Sequence, residues 1–388
     1  MSRRRVVVVG GGIFGAAAAV ELSRRGDDVT MVDPGPVPHP LAESTDISKV
    51  VRLDYGAEEI YTELAERALL AWRGAELADL FHETGVLFLT RSEIEGGSFE
   101  AESLRVLTAR GHRVERLDAV EIARRFPAFG PGSHAGGYFN PTGGYAESGR
   151  VVERFHREAK RLGARLVQGE PARALSTSGG RIDGVVLASG ARLDADAVVI
   201  ASGAWVPALL PELASCLHPV GQPVFHLKPV DPSPFVASRF PIFCADISRT
   251  GYYGFPVNAD GIVKVANHGT GRLVRDDAAR AVTDDETRSL RAFLESALPA
   301  LSAAPIVFTR VCVYCDTPDG HFWIDRDPDR PNLVVATGGS GHAFKFAPAL
   351  GGIVADALDG TTVPQFRWRP GDASPRWTEA ARHRESDA

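Results

Sequence analysis

The chain has 388 residues, 44% of them hydrophobic and 24% charged, with 43 basic against 49 acidic side chains for a net charge of −6. That length accommodates two domains with sizeable cores, and that balance lacks the basic footprint of a nucleic-acid partner. Four cysteines (Cys216, Cys244, Cys312 and Cys315) are too few for a disulfide framework in so long a chain, so a reducing cytoplasm is the expected setting.

The first element is Val6–Val9, a continuous β-branched run of the kind buried on both faces of a parallel sheet. Three basic residues precede it, but Gly10, Gly11 and Gly12 break the apolar run, which argues against a secretory signal. No uninterrupted apolar stretch of about 18 residues follows anywhere, so no membrane span is expected. Gly10-x-Gly12-x-x-Gly15 turns the chain into a helix predicted over Ile13 to Arg25, closed by Gly26. The first glycine permits the turn, the second lets backbone approach a pyrophosphate, and the third lets helix and strand pack closely. The helix N-terminus offers free N–H groups to the phosphate. Val29–Val32 reads as a second strand, and Asp33 ends it where a carboxylate reaches a ribose hydroxyl. Together these parts predict a dinucleotide site. An acid without an adjacent arginine argues against a 2′-phosphate.

Helical spacing of Ile60, Leu64, Ala68, Leu69 and Trp72 marks Ala57 to Leu80, and a strand is predicted from Gly85 to Leu89. A helix over Phe99 to Ala109 and a strand over His112 to Leu117 follow. Glu147 to Leu162 reads as a helix closed by Gly163, with strands at Ala164–Gln168, Gly184–Leu187, Ala191–Leu193 and Ala197–Ile200. The last runs into Ala201-Ser-Gly-Ala-Trp205, a second junction of strand and glycine. Phe235 to Lys264 shows short strands with Gly, Pro and Asn turns, as in an antiparallel sheet. Asn332 to Gly341 repeats the strand-into-glycine theme, and Leu350, Ile353, Val354, Ala357 and Leu358 mark one helical face before Gly360. The tail after Arg367 reads as a solvated end.

Three such junctions predict an α/β fold with a discontinuous Rossmann-like dinucleotide domain (1–80, 145–215 and 310–388). A mixed, largely antiparallel sheet domain (81–144 and 216–309) would cover the cofactor.

The opening cradle, Ala201–Trp205, Cys312-Val-Tyr-Cys-Asp-Thr-Pro-Asp-Gly-His321 and Gly338-Gly-Ser-Gly-His-Ala-Phe-Lys-Phe346 resemble the FAD-dependent amine oxidases of the D-amino-acid-oxidase superfamily. The resemblance spans nearly the whole chain and is greatest to the monomeric sarcosine oxidase, L-pipecolate oxidase and fructosyl amino acid oxidase families. It implies an FAD enzyme that oxidises a secondary amino acid (N-methyl, cyclic or N-glycated) at its carbon–nitrogen bond. The imine leaves for hydrolysis and oxygen is reduced to hydrogen peroxide; the redox chemistry is the cofactor's. The implied partners are therefore a small secondary amino acid and oxygen, with no metal, no membrane and no nucleic acid, in a monomer. Two alternatives stay open at this point: a flavin amine dehydrogenase that passes electrons to another acceptor, and a non-catalytic dinucleotide-binding scaffold.

The resemblance also assigns residues. Cys312 matches the cysteine joined to the flavin by a thioether in sarcosine oxidases, a bond that needs a thiolate. A small buried cysteine is the plain alternative, and a zinc pair with Cys315 lacks further ligands. Ser44-Thr-Asp-Ile-Ser-Lys-Val-Val-Arg52 resembles the loop over the flavin. Arg52 and Lys345 match the pair that clamps the substrate carboxylate, with Tyr314 on the substrate side. Lys49 departs from the arginine usual in sarcosine oxidases, and Asp46-Ile-Ser-Lys49 matches the pattern of the enzymes for glycated amino acids except at Ser48. Lys264 aligns with the lysine that activates oxygen, where negative charge develops, and Tyr253 and His268 lie beside the amine. Gly10, Gly12, Ile13, Phe14, Gly15, Asp33, Ser44, Thr45, Lys49, Gly203, Trp205, Gly339, Gly341, His342 and Lys345 complete the expected cofactor contacts.

Overall fold

The computed structural model describes residues 3–247, 249–274 and 280–371. Its opening is strand Arg5–Val9, helix Ile13–Arg24 and strand Asp28–Asp33, the two strands parallel with Val6 opposite Val29. Gly26 takes a left-handed φ of 94° beyond the helix end, as the expected stop requires. The alanine-rich helix buries Ala16 to Val20 and packs against helices Ala347–Asp359 and Ser148–Arg161. Its small side chains let these helices come close.

The first sheet has the order Trp323–Arg326, Leu333–Thr337, Ala197–Ile200, Arg5–Val9, Asp28–Asp33 and Arg165–Gln168. All neighbours are parallel except the antiparallel edge strand Trp323–Arg326. One sheet is thus assembled from three distant parts of the chain. The strand-to-glycine junctions after Val9, Ile200 and Thr337 belong to adjacent strands and stand side by side.

The second large sheet runs Arg272–Leu273, His218–Leu227, Val263–Asn267, Tyr252–Gly254, Ile242–Ala245, Val86–Thr90, Gly136–Asn140 and Glu115–Asp118, with Ile306–Asp316 also on His218–Leu227. Its pairs are antiparallel apart from Ile242–Ala245 with Val86–Thr90. Helix Asp284–Ala297 packs Leu290, Phe293 and Leu294 on Phe225, Phe243 and Val265. Burying each such side chain stabilises by roughly 1.5–3 kcal/mol. This architecture is the mixed α/β fold expected.

Several local expectations need correction. The helix expected to Leu80 stops at Trp72, and Gly74 to Leu80 form turns closed by backbone bonds such as Leu77 N to Gly74 O. The stretch Ser44–Arg52 is a loop only in part: Lys49–Arg52 is a strand paired with Gly143–Ala146. The strand expected from His112 covers Glu115–Asp118. The boundary expected at 310 falls inside strand Ile306–Asp316, which follows His218–Leu227 along its length. The tail after Arg367 is not all solvated: Arg369 is buried, with both ends of its guanidinium on Asp319 at 2.6 Å. Residues 372–388 of that tail lie outside the described residues. No helix among the described residues is long and apolar enough to cross a membrane.

Candidate active site

At the C-terminal end of the first sheet lies a cavity of about 390 Å³. Backbone from Val9 to Phe14 forms one wall, and Ala201–Trp205, Gly339 and Gly341 contribute others. Gly10 has φ 106°, and a Cβ there would stand 2.5 Å from the Ala201 carbonyl oxygen. A Cβ on Gly15 would lie 1.9 Å from the Gly10 carbonyl oxygen. Only glycine fits either place. Asp33 sits at the cavity edge with its carboxylate fixed, accepting from Gly11 N at 2.7 Å and Gly35 N at 3.0 Å. Ser44 Oγ accepts from Ile13 N at 3.2 Å, tying the loop Pro34–Ser48 to the helix start. Bare backbone at a helix N-terminus beside a fixed acid suits a dinucleotide, so the residues present fit FAD.

A second, smaller cavity of about 60 Å³ shares Lys49, Gly341 and Phe344 with the first. Arg52, Lys345, Tyr253, His268, Val50, Cys244, Ile247 and His342 line the rest of it. Arg52 is at the end of its strand and 8% exposed, its guanidinium 4.7 Å from the Tyr55 ring centre and 5.6 Å from that of Phe99. Lys345, 5% exposed, donates from Nζ to the His342 carbonyl at 2.8 Å and lies 5.2 Å from the Tyr55 ring centre. His342 Nε2 donates to the Gly320 carbonyl at 3.0 Å, and its Nδ1 lies 3.3 Å from the Tyr55 hydroxyl. Burial lifts the Tyr253 hydroxyl to about 12, with Lys49 opposing, so Tyr253 stays protonated.

Behind Arg52 lies Asp54, fully buried, accepting from the Tyr138 hydroxyl at 3.0 Å and from Asn140 Nδ2 at 3.2 Å. Burial raises its carboxyl above the usual range, while Arg52, Tyr138 and Asn140 pull the other way. It places a negative group beside the pocket's cations.

Lys264 occupies neither cavity. Its Nζ lies 2.8 Å from Asp46 Oδ2 and donates to the Ser48 carbonyl at 2.6 Å, with both side chains buried. The ring centre of Phe255 is 4.7 Å from the same nitrogen. His226 Nε2 stands 3.4 Å from the other oxygen of Asp46. Burial by itself would raise the Asp46 carboxyl, but Lys264, His226, Lys49 and Arg310 hold it well below the usual carboxylate range. For Lys264, burial wins: the ammonium is pulled down to about 8, with Asp46 opposing and Lys49 adding to the fall.

Strand Ile306–Asp316 presents alternate residues to its two faces. Val313 and Cys315 line the larger cavity. Cys312 and Tyr314 point to the other side, clustered with Tyr253, and the Tyr314 hydroxyl is 3.4 Å from His268 Nδ1. The Tyr314 ring packs so closely over Gly341 that a Cβ there would stand 2.3 Å from it. Cys312 Sγ has Lys49 Nζ at 3.6 Å and the Glu43 carbonyl at 3.7 Å. Cys315 differs: burial pushes its thiol up to about 11, and Thr337 Oγ1 donates to its sulfur at 3.3 Å.

The structure therefore gathers Gly10, Gly12, Ile13, Phe14, Asp33, Ser44, Lys49, Gly203, Trp205, Gly339 and Gly341 around the larger cavity. It gathers Arg52, Lys345, Tyr253, His268 and His342 around the smaller one. Gly15, Thr45, Cys312, Tyr314 and Lys264 stand behind these walls. Sequence reasoning gave no role to Asp46, Asp54, His226 or Arg310. Of these only Asp46 left a signal, by its place in the Asp46–Lys49 pattern.

Comparison with known proteins agrees with this geometry. Residues 5–357 match the family described as FAD dependent oxidoreductase. An N-methyl-L-tryptophan oxidase of Salmonella arizonae is 31% identical over 375 residues, covering 94% of this chain and 97% of the relative. An L-saccharopine oxidase of Schizosaccharomyces pombe is 28% identical, covering 99% and 94%. Among solved structures, the fructosyl amine:oxygen oxidoreductase amadoriase I of Aspergillus fumigatus superposes with a TM-score of 0.83 at 26% identity, covering 99% and 94%. The chain belongs to the family of FAD dependent oxidoreductases.

Proposed function

We propose that this chain is an oxidase of a secondary α-amino acid, with FAD in the larger cavity and the amino acid in the smaller. The observation that carries the reading is the convergence of Arg52 and Lys345, far apart in sequence, on one small pocket that adjoins the dinucleotide cavity. Two buried cations repel and have lost hydration, and a substrate carboxylate relieves both costs. The named substrates of the relatives, N-methyl-L-tryptophan and L-saccharopine, are themselves secondary amino acids, which supports the same class.

When bound, FAD supplies the two-electron acceptor for the carbon–nitrogen bond and the route from there to oxygen and hydrogen peroxide. The chain supplies position and charge. Arg52 offers a fork of donors and Lys345 a point charge, so the carboxylate fixes the rest of the substrate toward the shared wall at Lys49, Gly341 and Phe344. His268 and Tyr253 flank the amine. The ammonium of Lys264, buried beside Asp46, serves oxygen reduction by stabilising charge that develops there. Cys312 would be the residue that holds the flavin covalently through its sulfur, favoured over Cys315 because an ammonium stands beside its sulfur while burial keeps the Cys315 thiol protonated. Four unpaired, buried cysteines suit a reducing cytoplasm. Both cavities are built within one chain, and the working form is a monomer.

The test is loss of flavin absorbance without oxygen across a panel of secondary amino acids, followed by peroxide release when oxygen is admitted. Loss of colour without peroxide would make the protein a dehydrogenase. No loss with any amine would leave it a scaffold. Acid-precipitated protein should stay yellow, and Cys312→Ala but not Cys315→Ala should release the colour.

A further inference from the structure

The segment Leu41–Thr45 has no helix or strand, yet Leu41, Ala42, Glu43 and Ser44 all line the larger cavity. Each of its five residues is tied to a neighbour. Arg280 Nη1 donates to the Leu41 carbonyl at 3.1 Å. Arg310 donates from Nη2 to the Ala42 carbonyl at 3.1 Å and from Nη1 to the Thr45 carbonyl. The Glu43 carbonyl receives the Cys312 thiol, and the Ser44 hydroxyl accepts from Ile13 N. Arg280 makes one more contact: its guanidinium carbon lies 4.6 Å from the ring centre of Trp205, a residue of another wall of the same cavity. One side chain thereby joins two separate lining segments. Neither arginine lines the cavity itself, so any effect on what it holds passes through the segment.

We propose that Arg280 and Arg310 latch the Leu41–Thr45 segment over the dinucleotide cavity and set how fast FAD leaves it whenever the Cys312 bond is not in place. Three bonds from cations to backbone carbonyls must break before the segment lifts, and such charge-assisted bonds are stronger than neutral ones. Arg310 comes from strand Ile306–Asp316, so its end of the latch is anchored in the second sheet. Both are positioning residues, acting on the cofactor through backbone they hold. The proposal rests on the larger cavity being the FAD site.

Two measurements on the holoprotein test it. In hydrogen exchange, the amides of Ala42 and Thr45, bonded to the His39 and Ala42 carbonyls at 3.0 and 3.1 Å, report opening of the segment directly. Arg280→Ala and Arg310→Ala should each speed that exchange about tenfold, and Arg310→Lys should restore part of it. The second is FAD release on dilution, followed by flavin fluorescence in a Cys312→Ser background, whose hydroxyl keeps a donor toward Glu43. Each alanine change should speed release about tenfold and the pair about a hundredfold. Unchanged exchange in the double variant overturns the latch. Faster exchange with unchanged release overturns its hold on FAD. Gly12→Ala separates the underlying reading: its Cβ has only Ser44 Oγ within 4 Å, at 3.5 Å, so the added methyl takes cavity space in ordinary contact with the wall. FAD affinity unaffected by Gly12→Ala refutes the cavity as its site, whatever the arginines do.

Discussion

At the cradle, Gly10, Gly11 and Gly12 bring bare backbone to the larger cavity, beside the Asp33 carboxylate that backbone N–H groups hold in place. In the adjoining pocket, Arg52, Lys345, Lys49, Tyr253 and His268 arrive as long side chains from separate parts of the chain. The first compartment works through the absence of side chains; the second through their convergence. The cradle should therefore be sensitive to added volume and the pocket to removed charge.

The largest effect expected from breaking that contrast is at Arg52. Removing one partner of a buried charge pair costs ~2–5 kcal/mol, so Arg52→Ala should weaken an amino acid substrate roughly 30- to 5,000-fold. Carboxylate inhibitors should weaken in parallel, whereas matched amines without the acid group should be poor substrates and indifferent to the change. Equal efficiency of wild type on amines with and without the carboxylate would mean a plain amine oxidase. Next is Lys264→Met, which removes a charge without adding volume and should slow oxygen consumption about 100- to 1,000-fold at saturating amino acid. The pH profile sharpens this. Lys264 is an ammonium below about 8 and neutral above it, so the oxygen-dependent rate should fall as pH rises through that value. The Met variant should lose this limb; an unchanged limb would assign it to another group.

At the cradle, a smaller effect should come from volume alone. Gly15→Ala drives a methyl into the Gly10 carbonyl and should cost at least about 1–3 kcal/mol in denaturant unfolding, with weaker FAD retention. Gly352→Ala, in helix Ala347–Asp359 with no atom within 4 Å of the added Cβ, should instead gain about 0.5–1 kcal/mol. Similar stability changes at both glycines would undo the claim that volume, and not glycine as such, decides.

The same contrast explains what could be read from the sequence. The cradle is local: strand, glycines, helix and acid fall within Arg5–Asp33, and the structure ends the helix at Arg24, one residue short of the expected Arg25. Helix Phe99–Ala109 was equally plain, with Ser98 accepting from Ala101 N at its start. The signal for helix Asp284–Ala297 was present but unused: Thr283 and Glu286 form a capping box. The strand His218–Leu227 was hidden by Pro219 and Pro223, which lack a donor for the ladder. Both are paired only with Ile306–Asp316, and neither lies in the part paired with Val263–Asn267 or Arg272–Leu273. Pro223 faces the gap between these two neighbours, and Pro219 lies just before the part paired with Arg272–Leu273. Lys49–Arg52 passed for loop because its strand character depends on Gly143–Ala146, distant in sequence. His226 and Asp54 acquire meaning only from Asp46 and Arg52 beside them, and no spacing announces such meetings. The family resemblance supplied Arg52 and Lys264, but not Asp54 and Asp46, the acids beside them.

Strand Ile306–Asp316 gives Val313 and Cys315 to the larger cavity and turns Cys312 and Tyr314 to its other face, against Tyr253. One residue inserted or deleted before Cys312 would exchange every side chain between those faces. The cavity lining and the packing beside Tyr253 and His268 would be spoiled at once, and no compensating change on either face could restore the other. Drift in chain length among descendants of this sequence is therefore not tolerable along this strand. The two faces must be inherited together.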